Sequence, residues 1–371
     1  MNIPRSRLPD TMLLVLVGIL VVAGIFVFMS ASFGLLLREG REWGSVLFSQ
    51  FVLGLGGGLV LGFVAYKIPL VLLRKFSVHL FILASIMCLL VFVPGVGFSS
   101  GGAARWIHLG GVSIQPSEFL KLALVILLAA WAAARGEEIR SVRYGLLPFL
   151  AITTIAGGLL IAEPDTGTFV VLFATACSIF LVAGGRIKHL FYLGLGALVL
   201  IGGLALARPY VRARIATFLD PSSDPLGSSY QIRQSLLAIG SGQTTGRGFG
   251  QSIQKFQYLP EPIGDSIFAV VGEEFGFMGT FTFVLLFLFL CLRGMIVSLR
   301  APTKFHRLLG VGIVILIVIQ AYLHIGAMVG ILPLTGVPLP LISHGGTALM
   351  FALISLGLLL QISRYRTHAN I

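Results

Sequence analysis

The sequence predicts an all-α, polytopic membrane protein of about ten transmembrane helices. Three observations predict it. Of 371 residues, 57% are hydrophobic and only 11% charged, against about 25% charged in soluble domains, and the mean hydropathy is +0.99. Apolar runs of the roughly 20 residues needed to cross a bilayer follow one another along the chain. Finally, the basic residues gather in short connections that alternate in charge, as membrane topology requires.

The runs start near Thr11, Val46, Phe76, Pro116, Tyr144, Gly167, His189, Ser266, Phe305 and Ser343. The first follows Arg5 and Arg7 as a signal peptide would. Its apolar stretch from Met12 to about Met29 is too long for a signal core and many spans follow, so it reads as a retained helix. The fifth and sixth runs are separated only by Glu163-Pro164-Asp165-Thr166. With the N-terminus in the cytoplasm, cytoplasmic segments hold 16 of the 26 Lys and Arg residues. Outer segments hold nine, six of them in one long loop, and Lys121 lies inside a span. The bias predicts an even number of spans with both termini cytoplasmic. No polar segment is long enough for a separate soluble domain, so residues 1–371 read as a single integral membrane domain.

The formal net charge of +12 would suggest nucleic acid in a soluble protein; here it is a topology signal, and no nucleic-acid partner is expected. Cys88, Cys177 and Cys291 all fall in apolar runs and read as small hydrophobes, not a disulfide framework. Two outer loops are long, at about 94–115 and at about 208–264 between helices 7 and 8. The second contains a helical stretch, Tyr230 to Ile239, and a glycine-rich turn, Gly240 to Gly250. No internal repeat supports an inverted-repeat transporter. Gly54, Gly58 and Gly62 form a small-residue packing face on the second span.

Ionisable residues inside a span are expensive and so are functional candidates. Glu118 and Lys121 share a face of the fourth span at i,i+3. They read either as a neutralised internal pair or as the charged lining of an anion site. Arg105-Trp106 reads as an interfacial anchor or as a phosphate-binding guanidinium. Asp165, after Glu163 and Pro164, reads as a helix cap or as part of an outer polar cavity. The densest constellation is Lys255, Tyr258, Leu259, Pro260, Glu261, Pro262 and Asp265, with Glu273 and Glu274 two turns deeper. The prolines enforce extended or turn geometry. Asp265 then stands at the mouth of the eighth span, as an N-cap or as a general base near Arg247 and Lys255. Gly246-x-Gly248-x-Gly250 has no preceding strand and is no nucleotide loop. The prolines between Gly330 and Pro340 break the helix, which membrane depth tolerates only where backbone is buried or lines a cavity. His324 and His344 read as packing residues more readily than as catalysts, and the seven histidines lack metal-ligand spacing.

Taken together, the motifs resemble the SEDS proteins (shape, elongation, division and sporulation), which include FtsW, RodA and SpoVE, over nearly the whole chain. The markers are Arg105-Trp106-Ile107 with Gln115-Pro116-Ser117-Glu118 and Lys121; Pro164-Asp165-Thr166-Gly167-Thr168; Tyr230-Gln231 with Gln234-Ser235 and Ala238 to Gly242; Tyr258-Leu259-Pro260-Glu261 with Asp265 and Gly272-Glu273-Glu274; and Gly330 to Gly346. The phrase Gln254-Lys255-Phe256 with Tyr258 to Pro262 looks more like FtsW or SpoVE than RodA. The chain departs from the family pattern at His324 (generally Asn), His344 (commonly Tyr) and Ser266 (frequently Phe).

The resemblance implies a glycosyltransferase that polymerises lipid II on the outer face of the bacterial cytoplasmic membrane, in cell division. A lipid II flippase, a RodA-type elongation polymerase and a non-catalytic scaffold are the alternatives. It implies Asp265 as catalytic residue and Arg105, Glu118 and Lys121 as substrate residues. Arg247 and Lys255 are further candidates for the pyrophosphate; Asp165, Glu261, Glu274 and Ser343 are candidates for shaping the cavity. It also implies a class B penicillin-binding transpeptidase as partner, other divisome or elongasome membrane proteins, and surrounding lipid. A divalent cation, Mg or Mn, could share the charge of the pyrophosphate, though the sequence shows no ligands for it.

Overall fold

The computed structural model describes residues 8–39, 43–100, 103–109, 112–221, 224, 227 and 229–365. Arg5 and Arg7, together with Arg41 and Arg366, which enter the charge totals above, lie outside the described residues, as do both termini. The chain is a helical bundle. Among the described residues, seven helices are long and apolar enough to cross a membrane: α1 (Thr11–Glu39), α2 (Gly44–Lys67), α4 (Pro116–Arg135), α5 (Leu147–Ala162, preceded by a π turn from Val142), α7 (Ile187–Ala207), α10 (Ile267–Leu299) and α11 (Lys304–Met328). Three shorter apolar helices, α3 (Ser77–Leu90), α6 (Thr166–Val182) and α12 (Gly346–Ile362), stand where the remaining runs begin. Two further helices, α8 (Pro209–Leu219) and α9 (Tyr230–Ser241), form the long connection between α7 and α10.

Local chemistry sets the helix ends. Pro116 opens α4, where a missing N–H costs nothing. Asp165 caps α6 by accepting from Thr168 N at 3.1 Å, and Thr303 caps α11 by accepting from His306 N at 3.2 Å, each satisfying an orphan donor. The shorter of the two long loops is not irregular. It contains a three-stranded antiparallel meander, β1 (Gly97–Ser100), β2 (Ala103–Leu109) and β3 (Val112–Ile114), with Ile107 opposite both Gly97 and Ile114. β2 carries Arg105 to the corner between α5 and α6.

The interior is built from α4, α6 and α11, whose side chains are largely buried; α7 is bare along most of its length. The glycine face of α2 does what its spacing predicts. A Cβ at Gly54 would meet Gly346 Cα at 3.1 Å, and one at Gly58 would meet Leu353 Cδ1 at 2.7 Å. A Cβ at Gly62 would meet Leu353 O at 2.9 Å. The backbones of α2 and α12 approach closely because nothing larger intervenes.

The 33 residues of α10 are not one regular helix. Gly276 has φ 63° and ψ −160°, and the helical ladder is interrupted there. The glycine-rich loop supplies the missing partners. Arg247 N and Gly248 N donate to Glu273 O and Glu274 O at 3.0 and 2.9 Å, and Phe277 N and Met278 N donate to Gln243 O and Thr244 O at 2.8 and 3.0 Å. Irregular backbone within the bundle is thus hydrogen-bonded by protein, as a low-dielectric surrounding demands.

Candidate active site

Asp265 lies two residues before α10, at the end of the bundle that carries the two long loops. Its backbone is clamped from three sides. Gly264 N and Ser266 N both donate to Glu261 O at 3.1 Å, closing a tight turn after the prolines. Ser343 Oγ donates to Gly264 O at 2.9 Å, and His344 N donates to Ile263 O at 2.7 Å. Gln231 of α9 donates through Nε2 to Ser266 Oγ at 3.1 Å. Gln50 of α2 supports the 343–345 segment in turn, accepting from Gly345 N at 3.1 Å. The result is a carboxylate held on a backbone fixed by its own turn and by three distant segments, the 343–345 stretch, α9 and, through that stretch, α2.

Asp265 opens onto a cavity of about 160 Å³ lined also by Arg214, Gln231, His324, Met328 and Thr335. Arg214 comes from α8, where its Nη1 donates to Thr335 O at 2.9 Å and its guanidinium carbon sits 5.9 Å from the Tyr210 ring centre. The electrostatics oppose one another. Burial pushes the Asp265 carboxyl up, Glu261 pushes it further, and Arg214 and Arg105 pull it down; it settles at about 6. Burial and the nearby Arg105 lower the Arg214 guanidinium, and Asp265 and Asp165 restore part of the loss. Arg105 is fixed by donating Nε to Glu163 O at 3.1 Å and Nη2 to Pro164 O, at the C-terminal end of α5. That is the favourable end of a helix for a cation.

The structure therefore brings Arg105, Asp165, Glu261 and Asp265 together, with Ser343 bonded to the Gly264 carbonyl but lining the cavity of Glu118 and Lys121, and it adds Arg214, which sequence reading did not single out, and Gln231, named there only as a marker of the resemblance. The available signal was the basic run Arg208, Arg212, Arg214 behind Tyr210; which of the three turns inward depends on how α8 packs. The other candidates lie elsewhere. Glu118 and Lys121 form a buried ion pair at 2.8 Å, and Lys121 Nζ also donates to Gln320 Oε1 at 2.8 Å. They line a separate cavity of about 20 Å³. Lys255 is fully buried, its Nζ donating to Ser30 Oγ, Gly250 O and Glu274 Oε1 at 2.9, 3.0 and 2.6 Å. All three of its donors are used internally. Arg247 Nε lies 3.5 Å from Glu273 Oε1. Glu274 and Glu273 secure the glycine-rich loop and do not shape the Asp265 cavity.

The family model for cell cycle proteins of the FtsW, RodA and SpoVE type matches residues 10–368. Stage V sporulation protein E of Bacillus subtilis (strain 168) is 39% identical over 362 residues, covering 97% of this chain and 98% of that protein. A probable peptidoglycan glycosyltransferase FtsW of Geobacter sp. (strain M18) is 35% identical over 354 residues, covering 95% and 96%. A chain from a peptidoglycan synthase complex, solved for its coordination of polymerization and crosslinking, superposes with a TM-score of 0.78 at 29% identity, covering 97% of this chain and 99% of that one. The rod shape determining protein RodA of Thermus thermophilus gives a TM-score of 0.70 at 28% identity, covering 96% and 97%. By sequence over nearly its full length and by fold, the chain belongs to the FtsW/RodA/SpoVE family of cell cycle proteins.

Proposed function

We propose that this protein is an FtsW-type peptidoglycan glycosyltransferase that polymerises lipid II, with Asp265 as its general base. The observation that carries the reading is one carboxylate, shifted to about 6, facing a guanidinium across a cavity large enough to admit substrate groups. The C4 hydroxyl of an incoming lipid II sugar attacks the anomeric carbon of the growing chain, inverting it. The base takes the hydroxyl proton as the new C–O bond forms. A carboxylate of this basicity is mostly ionised at neutral pH yet basic enough to share a proton in the transition state. The leaving group is a lipid pyrophosphate, which departs without protonation, so the paired carboxylates of glycoside hydrolysis are not required. It does need positive charge, and Arg214 with the remaining donors of Arg105 provides it in partly dry surroundings.

A divalent cation fits as an ion shared with substrate. Among the described residues no three His, Cys, Asp or Glu side chains converge to hold one. Mg²⁺ commonly takes one or two carboxylates together with phosphate oxygens, and Glu261, beside Asp265, is the carboxylate placed to supply one, which leaves Asp265 as the base. Bound there, it would neutralise charge on the departing pyrophosphate.

Cell division is the setting we favour, because the matching family model is one of cell cycle proteins and FtsW relatives align with most of the chain. The partner is a class B penicillin-binding transpeptidase, and the Asp265 cavity faces the outer side of the bacterial cytoplasmic membrane. A flippase would need polar groups along its whole depth. The deeper charges here, Glu118 with Lys121 and Glu274 with Lys255, are instead consumed in buried pairs. The test is glycan synthesis from lipid II in detergent by the purified protein with its transpeptidase. Wild type should give polymer, and Asp265→Ala and Asp265→Asn, folded and still bound to partner, should give none. Polymer from either variant would remove Asp265 from the mechanism.

A further inference from the structure

The Asp265 cavity has a second acceptor that the reaction as described does not use. His324 sits four residues before the end of α11 and is 2% exposed. Its Nδ1 lies 2.8 Å from Val337 O. A carbonyl oxygen can only accept, so Nδ1 carries the proton, and in the neutral ring Nε2 is left with a free lone pair. That nitrogen is buried and has no hydrogen-bond partner in the protein. Leaving a buried acceptor unmade costs about 1–3 kcal/mol, so a packing role alone does not account for it. His324 is on the wall of the same cavity as Asp265, Arg214 and Gln231. The tautomer is set by the helix-breaking segment after α11, which presents Val337 O; the aim of Nε2 is thus fixed by backbone and not by a mobile side chain.

Resting on the polymerase reading, we propose that His324 is a substrate-binding residue. Its Nε2 accepts a hydrogen bond from a second polar hydrogen of the acceptor sugar, a neighbouring hydroxyl or the acetamido N–H. That contact turns the reacting hydroxyl toward Asp265. The cavity then offers two acceptors, Asp265 and His324, and two donors, Arg214 and Gln231, a pattern suited to a sugar that presents both kinds of group. His324 takes no proton in the reaction; it orients.

Steady-state polymerisation of lipid II by the intact protein–transpeptidase complex tests this with His324→Phe, which keeps the ring and loses the acceptor, and His324→Gln, whose Oε1 can reach the Nε2 position. The expected result for Phe is a KM about tenfold higher, the size of one lost neutral hydrogen bond of about 1.4 kcal/mol. Its kcat should stay within about twofold, and the acid limb of its pH profile should not move. Gln should recover most of the KM. Lipid II binding to Asp265→Asn protein, with and without His324→Phe, should show the same tenfold weakening without turnover. An unchanged KM for Phe overturns the proposal, and so does an equal loss in Phe and Gln tracking a lower thermal midpoint. Polymer from Asp265→Asn would instead remove Asp265 as the base and leave the polymerase reading standing, whereas no polymer from folded, partner-bound wild type would sink that reading.

Discussion

At the scale of single residues, the carboxylate at the mouth of α10 is in tension with its surroundings. The helix N-terminus and two guanidinium groups favour its charged form; burial and Glu261 oppose it, and the net effect is upward, to about 6. Protonation removes the base, so kcat/KM should fall as pH drops through about 6, with one proton taken up. A pH–rate profile flat down to pH 4.5 would contradict this. The same shift bears on stability. A carboxylate with a folded pKa above its unfolded one binds more protons when folded, so its contribution worsens as pH rises from about 4 to about 6 and stays unfavourable above that. Asp265→Asn should therefore raise the thermal midpoint at pH 7 while abolishing polymerisation, a trade of stability for activity expected at a catalytic residue; a lowered midpoint would argue against it. The Glu118–Lys121 pair makes a contrasting case. Removing one partner strands a buried charge, at a cost of about 3–5 kcal/mol. Lys121→Met alone should abolish folded protein, whereas Lys121→Met with Glu118→Gln should restore it along with most activity. If the folded double variant were dead, the pair would have a direct role toward substrate.

The elements show which parts of this molecule were legible before folding. Helix starts at Thr11 and Pro116, and within one residue the start at Thr166, were readable because hydropathy, prolines and capping residues all act locally. So was Asp265, because Pro260 and Pro262 force a turn immediately before an apolar run. The interruption of α10 was not. Glu273, Glu274 and Arg293 apart, residues 267–299 read as one apolar run, and what stabilises the break is a loop folded back from about thirty residues earlier in the chain. Arg214 was missed for the same kind of reason, since its role depends on how α8 packs against the segment carrying Thr335. Lys255 was misplaced because its nearness to Asp265 in sequence says nothing of Ser30 and Glu274, which absorb its charge. The break yields a sharp expectation. A Cβ at Gly276 would stand 2.4 Å from Gly246 N in a backbone region nearly restricted to glycine, costing about 3 kcal/mol. Gly276→Ala should loosen the 243–248 loop from α10, read as faster amide exchange at Arg247 and Gly248, and lower the thermal midpoint. Unchanged exchange there would mean that the loop is held by the Glu273 and Glu274 side chains alone.

For the whole molecule, the distribution of charge links architecture to chemistry. The arginines flanking the short connections, Arg135, Arg140 and Arg143 among them, gather at the end opposite the Asp265 cavity. If the positive-inside rule applies to them, the cavity faces away from the cytoplasm. Everything proposed for lipid II depends on that orientation, since a base on the cytoplasmic side could not build wall outside. The two ends can be distinguished chemically. Replacing the three native cysteines by alanine and adding one cysteine at exposed Thr245, in the glycine-rich loop, or at exposed Glu137, beside the arginines, gives a reporter for each end. A membrane-impermeant maleimide on intact spheroplasts should label Thr245→Cys at once and Glu137→Cys only after permeabilisation. The opposite pattern would turn the Asp265 cavity toward the cytoplasm, where precursors are made and not polymerised, and would shift the reading of the paired inner charges toward a transport path.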